Sequence, residues 1–321
     1  MKAMVYHEYG APDVLRMEEL TKPIPKDDEM LVKVHAVSIN RSDWEGLLGE
    51  PVYARAGGLR NPSNMILGSD VAGRVEMVGK NNMQFQPGDD VFGEMVDYHG
   101  GFAEYVCTRA TTWALKPPEM TFETAAAIPQ AGVIALQGIR DKGKVHAGQH
   151  VLINGGGGGA GTFAIQLAKL YGADVTGVDH AEKLDFMRSL GADRVIDYTQ
   201  EDFTKNGQQY DFILDLISSR SAFAYARALK PNGAYYAVGG SVGSFLQFFL
   251  FAPWIHRTSG KKVRLLAVKR NRADLEHITE LCIMGKINPV IDKRYRLSEV
   301  PEALRYLGEG HVKGKLVITV P

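Results

Sequence analysis

The residues with the clearest chemical capacity are Asn154-Gly155-Gly156-Gly157-Gly158-Gly159-Ala160-Gly161-Thr162, a run with almost no side chains directly after the apolar segment Val151-Leu152-Ile153. Phe163 to Tyr171, which follows, has the spacing of an amphipathic helix. A strand that turns through bare backbone into a helix lets a pyrophosphate approach the N–H groups of the first helical turn, where the helix dipole favours an anion. The chemistry this supports is dinucleotide binding, centred on Gly158, Gly159, Ala160 and Gly161. A glycine run alone reads equally well as a flexible loop. The assignment therefore depends on what surrounds it.

The surroundings are strands and helices in alternation. Asp174 to Val178 reads as a second strand, Glu182 to Leu190 as a helix ended by Gly191, and Val195-Ile196 as a short third strand. Phe212-Ile213-Leu214 supplies a fourth strand, Ser219 to Leu229 a helix closed by Pro231-Asn232-Gly233, Tyr235 to Val238 a fifth strand and Arg264 to Val268 a sixth. Such alternation implies an α/β domain: a doubly wound parallel sheet with right-handed crossovers, binding its ligand beyond the carboxyl ends of the strands. Asp179 ends the second strand about 20 residues past the glycines, where a carboxylate suits the ribose hydroxyls of NAD and repels the 2′-phosphate of NADP.

The 321 residues exceed the length at which one core keeps growing, so two domains are expected. An apolar fraction of 45% and a charged fraction of 23% are those of an ordinary globular protein. The 37 basic and 37 acidic residues cancel, leaving no global field of the kind that draws a protein to nucleic acid or anionic lipid, so neither partner is expected. Cys107 and Cys282 are too few and too far apart for a disulfide framework, and Met1-Lys2-Ala3-Met4 leads into a strand pattern rather than a signal peptide. A reducing cytoplasm is the expected compartment. The most apolar stretch, Phe245 to Ile255, is too short to span a bilayer and reads as a buried helix or a subunit contact in preference to a membrane-surface anchor.

Residues 1 to about 112 have a different texture. Lys2 to Tyr6, Leu15 to Leu20, Leu31 to Val37, Val71 to Val78 and Phe102 to Val106 are short, half-apolar runs punctuated by Gly10, Pro23, Pro25, Gly79 and Pro87-Gly88-Asp89. That is the pattern of an antiparallel, barrel-like β domain. The tail returns to it: Ile287 to Ile291 and Leu316 to Val320 read as strands, and Ser298-Glu299-Val300-Pro301 starts a helix through Leu307. The expected arrangement is a discontinuous β domain of residues 1–112 and 286–321, with a dinucleotide-binding domain of residues 113–285 inserted, and ligand in the cleft between them.

Several ordered motifs carry a resemblance over essentially the whole chain. They are Met1-Lys2-Ala3-Met4-Val5, Leu67-Gly68-Ser69-Asp70-Val71-Ala72-Gly73-Arg74-Val75, Pro87-Gly88-Asp89-Asp90-Val91-Phe92-Gly93, Gly101-Phe102-Ala103-Glu104-Tyr105, the glycine run, and Gly191-Ala192-Asp193-Arg194-Val195-Ile196-Asp197-Tyr198. Together they resemble the medium-chain dehydrogenase/reductase superfamily, in its quinone oxidoreductase branch. The resemblance implies a GroES-like β-barrel catalytic domain, a Rossmann domain and NAD(P)H-dependent chemistry, in a homodimer or homotetramer.

Zinc enzymes of that superfamily hold the metal with Cys and His. Where they carry Gly-His-Glu this chain has Gly68-Ser69-Asp70, and where their first cysteine stands it has Asn40-Arg41-Ser42-Asp43. His146 and His150 fall in a turn before a strand and read as exposed turn residues, so no zinc is expected. Without a metal to activate an alcohol, the easier reaction sends hydride to an electron-poor acceptor, a quinone or an α,β-unsaturated carbonyl, whose developing charge hydrogen-bond donors can bear. Asn40 and Asp43 resemble the branch's Asn-Pro-x-Asp motif, with Arg41 in place of proline. The resemblance puts them near the nicotinamide as positioning residues, and the other reading is that they close the turn after the strand Leu31 to Ile39. Tyr53 and His99 are lesser candidates for the same region. Ile134 stands where the branch commonly has a threonine beside the nicotinamide, so orientation would lean on Gly239-Gly240-Ser241 and on Gly314-Lys315. Lys183 and Tyr198 match positions that hold the 2′-phosphate, with His180 nearby, against Asp179; NADPH is favoured and NADH remains possible. The alternatives to a quinone or enone reductase are a metal-free ketone or alcohol oxidoreductase and a nucleotide-binding relative without turnover.

Overall fold

The computed structural model describes residues 1–56, 58–95 and 100–321. His99 lies outside the described residues. In chain order the strands are β1 (Lys2–Val5), β2 (Arg16–Glu19), β3 (Glu29–Ile39), β4 (Asp70–Val78), β5 (Asp90–Glu94), β6 (Tyr105–Arg109), β7 (Trp113–Leu115), β8 (His150–Asn154), β9 (Asp174–Asp179), β10 (Arg194–Asp197), β11 (Tyr210–Asp215), β12 (Leu229–Ala237), β13 (Lys262–Leu265), β14 (Ile291–Arg296) and β15 (Lys315–Thr319). The α-helices are α1 (Arg41–Leu48), α2 (Phe122–Ala126), α3 (Pro129–Leu136), α4 (Gly159–Leu170), α5 (Leu184–Ser189), α6 (Ala222–Ala228), α7 (Val242–Ser259), α8 (Arg272–Ile283) and α9 (Val300–Gly308). Two compact units result: Met1–Gln130 with Arg270–Ile283 and Pro289–Pro321, and Ala131–Lys269 with Met284–Asn288.

The first unit is organised by β3, a long strand rich in β-branched residues that pairs antiparallel with β15, β4 and β6. Its register against β4 shifts between Leu31 and Val32 and again between Val34 and Ala36, irregularities that bend a strand and let one element serve several partners. The sheet continues through β5 to β7 and from β15 to β14. Val32, Val34, Val37 and Ile39 are buried in one core with Val71, Phe102, Trp113 and Ile318. Each such side chain contributes roughly 1.5–3 kcal/mol on burial.

The second unit is a six-stranded sheet in the order β10-β9-β8-β11-β12-β13, every pairing parallel. Chain order reverses between β8 and β11, the switch point at which such sheets bind ligands beyond their carboxyl ends. The glycine turn follows β8 there.

Several elements depart from expectation. The inserted unit begins at Ala131 rather than 113, because β7 is hydrogen-bonded to β5 and α2 packs on β3 and β4, where Phe122 stacks on His35. Arg270–Ile283 also joins the first unit, Arg272 Nε donating to the Trp113 carbonyl at 2.6 Å. Pro231-Asn232-Gly233 does not end a helix but sits within β12 at a register shift, Asn232 taking φ 61°. The tail strand is Ile291–Arg296 instead of Ile287 to Ile291, and the sixth parallel strand starts earlier, at Lys262. Phe245 to Ile255 lies within α7, which buries Ser244, Phe248 and Ile255 while Leu246, Phe249, Leu250 and Trp254 remain exposed. No helix among the described residues is long and apolar enough to cross a membrane.

Candidate functional site

In the first unit the turn from β3 into α1 holds Asn40 and Asp43. Asn40 precedes the helix, and the Asp43 carboxylate reaches back to accept its N–H at 2.7 Å, satisfying a donor the helix leaves orphaned. The same carboxylate accepts Ser69 Oγ–H at 2.9 Å and Gly68 N–H at 3.0 Å, tying the turn to the segment before β4. Gly68 takes φ 102°, a left-handed conformation suited to glycine. Asn40 Nδ2 donates to Ser69 Oγ at 2.9 Å and to Asp70 Oδ2 at 2.8 Å, and its Oδ1 accepts from Lys315 Nζ. The amide's donors and its carbonyl are thus all engaged within the unit.

Lys315, at the start of β15, is 2% exposed, and its ammonium stands 3.5 Å from Asp70 Oδ2. Asp70 is fully buried and also receives the Gln130 N–H at 3.2 Å. Gln130 Nε2 donates to Glu94 at 2.9 Å, and Arg270 Nε stands 3.0 Å from the same carboxylate. One network therefore joins the carboxylates of Asp43, Asp70 and Glu94 to the cations of Lys315 and Arg270. Burial pushes the Asp43 carboxyl up to about 7 and the Glu94 carboxyl up to about 7, against the hydrogen bonds they receive. Burial likewise raises Asp70 and lowers Lys315, each opposed by the other's charge. Gly314 takes φ 91° before Lys315, and Tyr53 lies in a short 3-10 turn, Val52–Arg55.

In the second unit the glycine turn is closely fitted. The N–H groups of Gly155 and Gly156 donate to the Val178 carbonyl at 2.9 and 3.1 Å, and Gly158 N–H to the Gly155 carbonyl at 3.2 Å. A Cβ on Gly161 would stand 2.1 Å from the Gly155 oxygen, so only glycine lets α4 approach the turn. At Gly158 the nearest atom to such a Cβ is 3.5 Å away. Hydrogen bonding along α4 resumes at Thr162, which donates to the Gly158 carbonyl at 3.0 Å. The N–H groups of Gly159, Ala160 and Gly161 have no hydrogen-bond partner among the described residues. Three free donors at the positive end of a helix, reached past a side that carries no side chains, fit a pyrophosphate.

Around this turn the structure gathers most of the other predicted residues. Asp179 Oδ2 accepts Gly157 N–H at 2.9 Å, Lys183 Nζ lies 3.3 Å from Asp179 Oδ1, and Tyr198 N–H donates to the Asp179 carbonyl at 3.2 Å. Tyr198 is 53% exposed, with its ring 6.1 Å from that of His180. Gly239, Gly240 and Ser241 follow β12 at the same edge, Ser241 Oγ capping α7 by accepting Ser244 N–H at 3.1 Å. Ile134 is part-buried on α3. His146 bonds its neighbour's carbonyl, and His150 opens β8.

Sequence reasoning missed Asp215, which is fully buried at the end of β11. Its Oδ1 accepts Asn154 Nδ2 at 2.8 Å and Ser218 N–H at 2.8 Å, and its Oδ2 accepts the Tyr235 hydroxyl at 2.9 Å, clamping the ends of β8, β11 and β12. An aspartate closing an apolar strand was the available signal. Ser69, Asp70, Glu94, Gln130 and Arg270 were missed as a network because they come together only through the sheet. Among the described residues no group of three or more His, Cys, Asp or Glu is placed to hold a metal ion.

Two family models match: the alcohol dehydrogenase GroES-like domain over residues 26–119 and the zinc-binding dehydrogenase family over residues 190–318. The mitochondrial NAD(P)H oxidoreductase RTN4IP1 of Mus musculus is 33% identical, the alignment covering 100% of this chain and 89% of the relative. A chloroplastic NADPH-dependent alkenal/one oxidoreductase of Arabidopsis thaliana is 32% identical over 99% of this chain and 79% of its own. Among solved structures, the quinone oxidoreductase from Coxiella burnetii superposes with a TM-score of 0.87 at 30% identity, covering 100% of this chain and 99% of that one. Likeness at this level over the full length, together with a GroES-like segment and a nucleotide-binding sheet in one chain, places it by descent: the chain belongs to the medium-chain dehydrogenase/reductase superfamily, in its quinone oxidoreductase branch.

Proposed function

We propose that this chain reduces quinones or α,β-unsaturated carbonyls with NADPH, accepting NADH as well, and without a metal. The observation that carries the reading is the set of free N–H groups at Gly159, Ala160 and Gly161 beside a turn that only glycine can form. These donors and Gly158 hold the pyrophosphate, Asp179, Lys183 and Tyr198 surround the adenine ribose, and Gly239, Gly240 and Ser241 orient the nicotinamide end. When bound, the nicotinamide supplies a hydride to the electron-poor carbon of the acceptor. Asn40 and Asp43 serve by position: their hydrogen bonds fix the turn between β3 and α1, and the final proton comes from water. Ser69 and the Asn40 amide are poor zinc ligands where thiolate and imidazole would be needed, which supports a metal-free reaction.

The exposed apolar residues of α7 and the edge strand β13 support a homodimer or homotetramer formed through the second unit. Cys107 and Cys282, which form no disulfide, support a cytoplasmic setting, while the two curated relatives named above are mitochondrial and chloroplastic. Following cofactor absorbance with a simple benzoquinone, an alkenal, a cyclic enone and an unconjugated ketone tests the assignment. Turnover confined to the first three supports it, turnover of the ketone supports the alcohol-oxidoreductase alternative, and turnover of none refutes an enzymatic role.

A further inference from the structure

Charge balance over the whole chain hides a segregation. Between Asp215 and Asp274 every residue charged at neutral pH is a lysine or an arginine. Lys230 and Arg220 are answered by acidic residues outside that segment, Asp211 at 2.7 Å and Asp202 at 3.3 Å. Arg257, Lys262 and Arg264 are exposed and make no ion pair among the described residues. These three cations border the apolar face of α7. The helix packs on β13 and beside α6, and its outward residues Val242, Leu246, Phe249, Leu250 and Pro253 recur three or four positions apart, a single stripe that Arg257 ends. Leu246, Phe249 and Leu250 are 57%, 81% and 56% exposed. Phe249, Pro253 and His256 form one wall of a groove whose other wall is Lys262, Arg264 and Leu265 of β13. On the α6 side Phe251 and Trp254 widen the face, their rings 5.0 and 5.8 Å from that of Phe223. Because two of the cations stand on the neighbouring strand, helical periodicity alone does not reveal that apolar surface and positive charge share one side.

A contiguous apolar face of this kind marks a surface that something covers, and the charge around it selects the cover. We propose that this face of the second unit docks on an anionic lipid bilayer. Leu246, Phe249, Leu250 and Trp254 enter the boundary between headgroups and acyl chains, and Arg257, Lys262 and Arg264 bind lipid phosphates. The helix lies on the bilayer and does not span it. A nucleic acid would satisfy the cations but leave the aliphatic stripe in water, and a second copy laid α7 against α7 would set the cations against one another. Two copies paired antiparallel along the β13 edge agree with lipid docking: the twofold axis of such a pair is normal to the sheet, so both α7 helices fall on one side of it. Lipid docking is independent of the reductase reading, since none of these residues belongs to the glycine turn.

The test sediments the full chain with vesicles of phosphatidylcholine alone and of phosphatidylcholine and phosphatidylglycerol in equal parts. Binding to the mixed vesicles is expected to be tighter by about tenfold or more and to weaken as salt is raised. Each cation at an anionic surface is worth about fivefold in partitioning, so Arg257→Gln, Lys262→Gln and Arg264→Gln together should weaken binding about a hundredfold. Phe249→Gln with Leu250→Gln should weaken it about tenfold or more, and both variants should bind NADPH as wild type does. A second readout needs no destabilising change: Trp254 is 58% exposed while Trp113 is buried, so wild-type emission should shift to the blue on the mixed vesicles and Trp254→Phe should remove the shift. Equal binding to both vesicle types, or binding without the Trp254 shift, would overturn the proposal. So would retention on polyuridylate without affinity for vesicles, which assigns the cations to a nucleic acid. Shielding of Trp254 from acrylamide before any lipid is added would overturn it as well, by showing that a second copy already covers the face.

Discussion

Asp43 carries the most quantitative prediction. Its carboxyl is 1% exposed, accepts three hydrogen bonds and shares its network with Asp70, Glu94 and Lys315. Burial outweighs those hydrogen bonds and raises the group from its ordinary value of 3.8 to about 7. The folded state therefore keeps a proton that the unfolded chain releases. The stabilisation is fully present below pH 3.8 and is lost as pH rises through about 7. Each pH unit within that window costs about 1.4 kcal/mol for one group, so between pH 4.5 and 6.5 Asp43 alone accounts for roughly 2.7 kcal/mol. Glu94, raised from 4.5 to about 7, adds a slope of the same sign. Asp43→Asn removes the ionisation while keeping the shape. Urea unfolding of both proteins across this range, followed by tryptophan fluorescence, isolates the contribution as a difference. Trp44 and Trp113 lie in the first unit, so the probe reports mainly on it. The wild type is expected to approach the variant, or to fall further below it, by about 2–3 kcal/mol as pH rises. Parallel pH profiles would refute the reasoning, showing that Asp43 is ionised throughout and that its hydrogen bonds outweigh its burial.

Gly161→Leu puts carbon where 2.1 Å separates a Cβ from the Gly155 oxygen, and should weaken NADPH binding by about a hundredfold or more while far-ultraviolet dichroism stays native. An unchanged binding titration would remove the turn from the site. Asn40→Ala strips Lys315 and Asp70 of a shared buried partner and is expected to destabilise the first unit by about 2–4 kcal/mol and to lower turnover about ten- to a hundredfold. A variant as stable and active as wild type would show that the network repairs itself without the amide. Purified protein is expected to contain no stoichiometric zinc and to keep its activity in a chelator; one zinc per chain by elemental analysis contradicts this.

The glycine turn was legible because its local pattern, an apolar run, bare residues and then an amphipathic run, is itself the structure: β8, the turn and α4 follow in sequence. Asp179 was legible for the same reason, as the last residue of an apolar strand. Its partner was not. That Lys183 turns inward to Asp179 depends on a 3-10 turn at Ala181–Lys183 where a regular helix was expected, and no periodicity announces that change. Asn40 and Asp43 were read from a motif, but their engagement with Ser69, Asp70 and Lys315 depends on β3 lying between β4 and β15, a pairing of residues far apart in sequence. Domain limits fall elsewhere than expected where β7 pairs with β5 and where Arg272 of α8 donates to the Trp113 and Ala110 carbonyls and to the Gln84 side chain, none of which changes composition. The length of α7 was underestimated because its ends are set by a serine cap and by Gly260 in the left-handed region rather than by the apolar stretch between them.

The central claim is that this chain carries hydride from a reduced nicotinamide to the β-carbon of an electron-poor acceptor, and isotope transfer reads it directly. Turnover of a cyclic enone with NADPH bearing deuterium in both positions at C4, in ordinary water, should give a saturated ketone with one deuterium on the carbon β to the carbonyl and a solvent proton on the α carbon. A saturated product without deuterium, or no saturated product from a chain that demonstrably binds NADPH, would contradict the account.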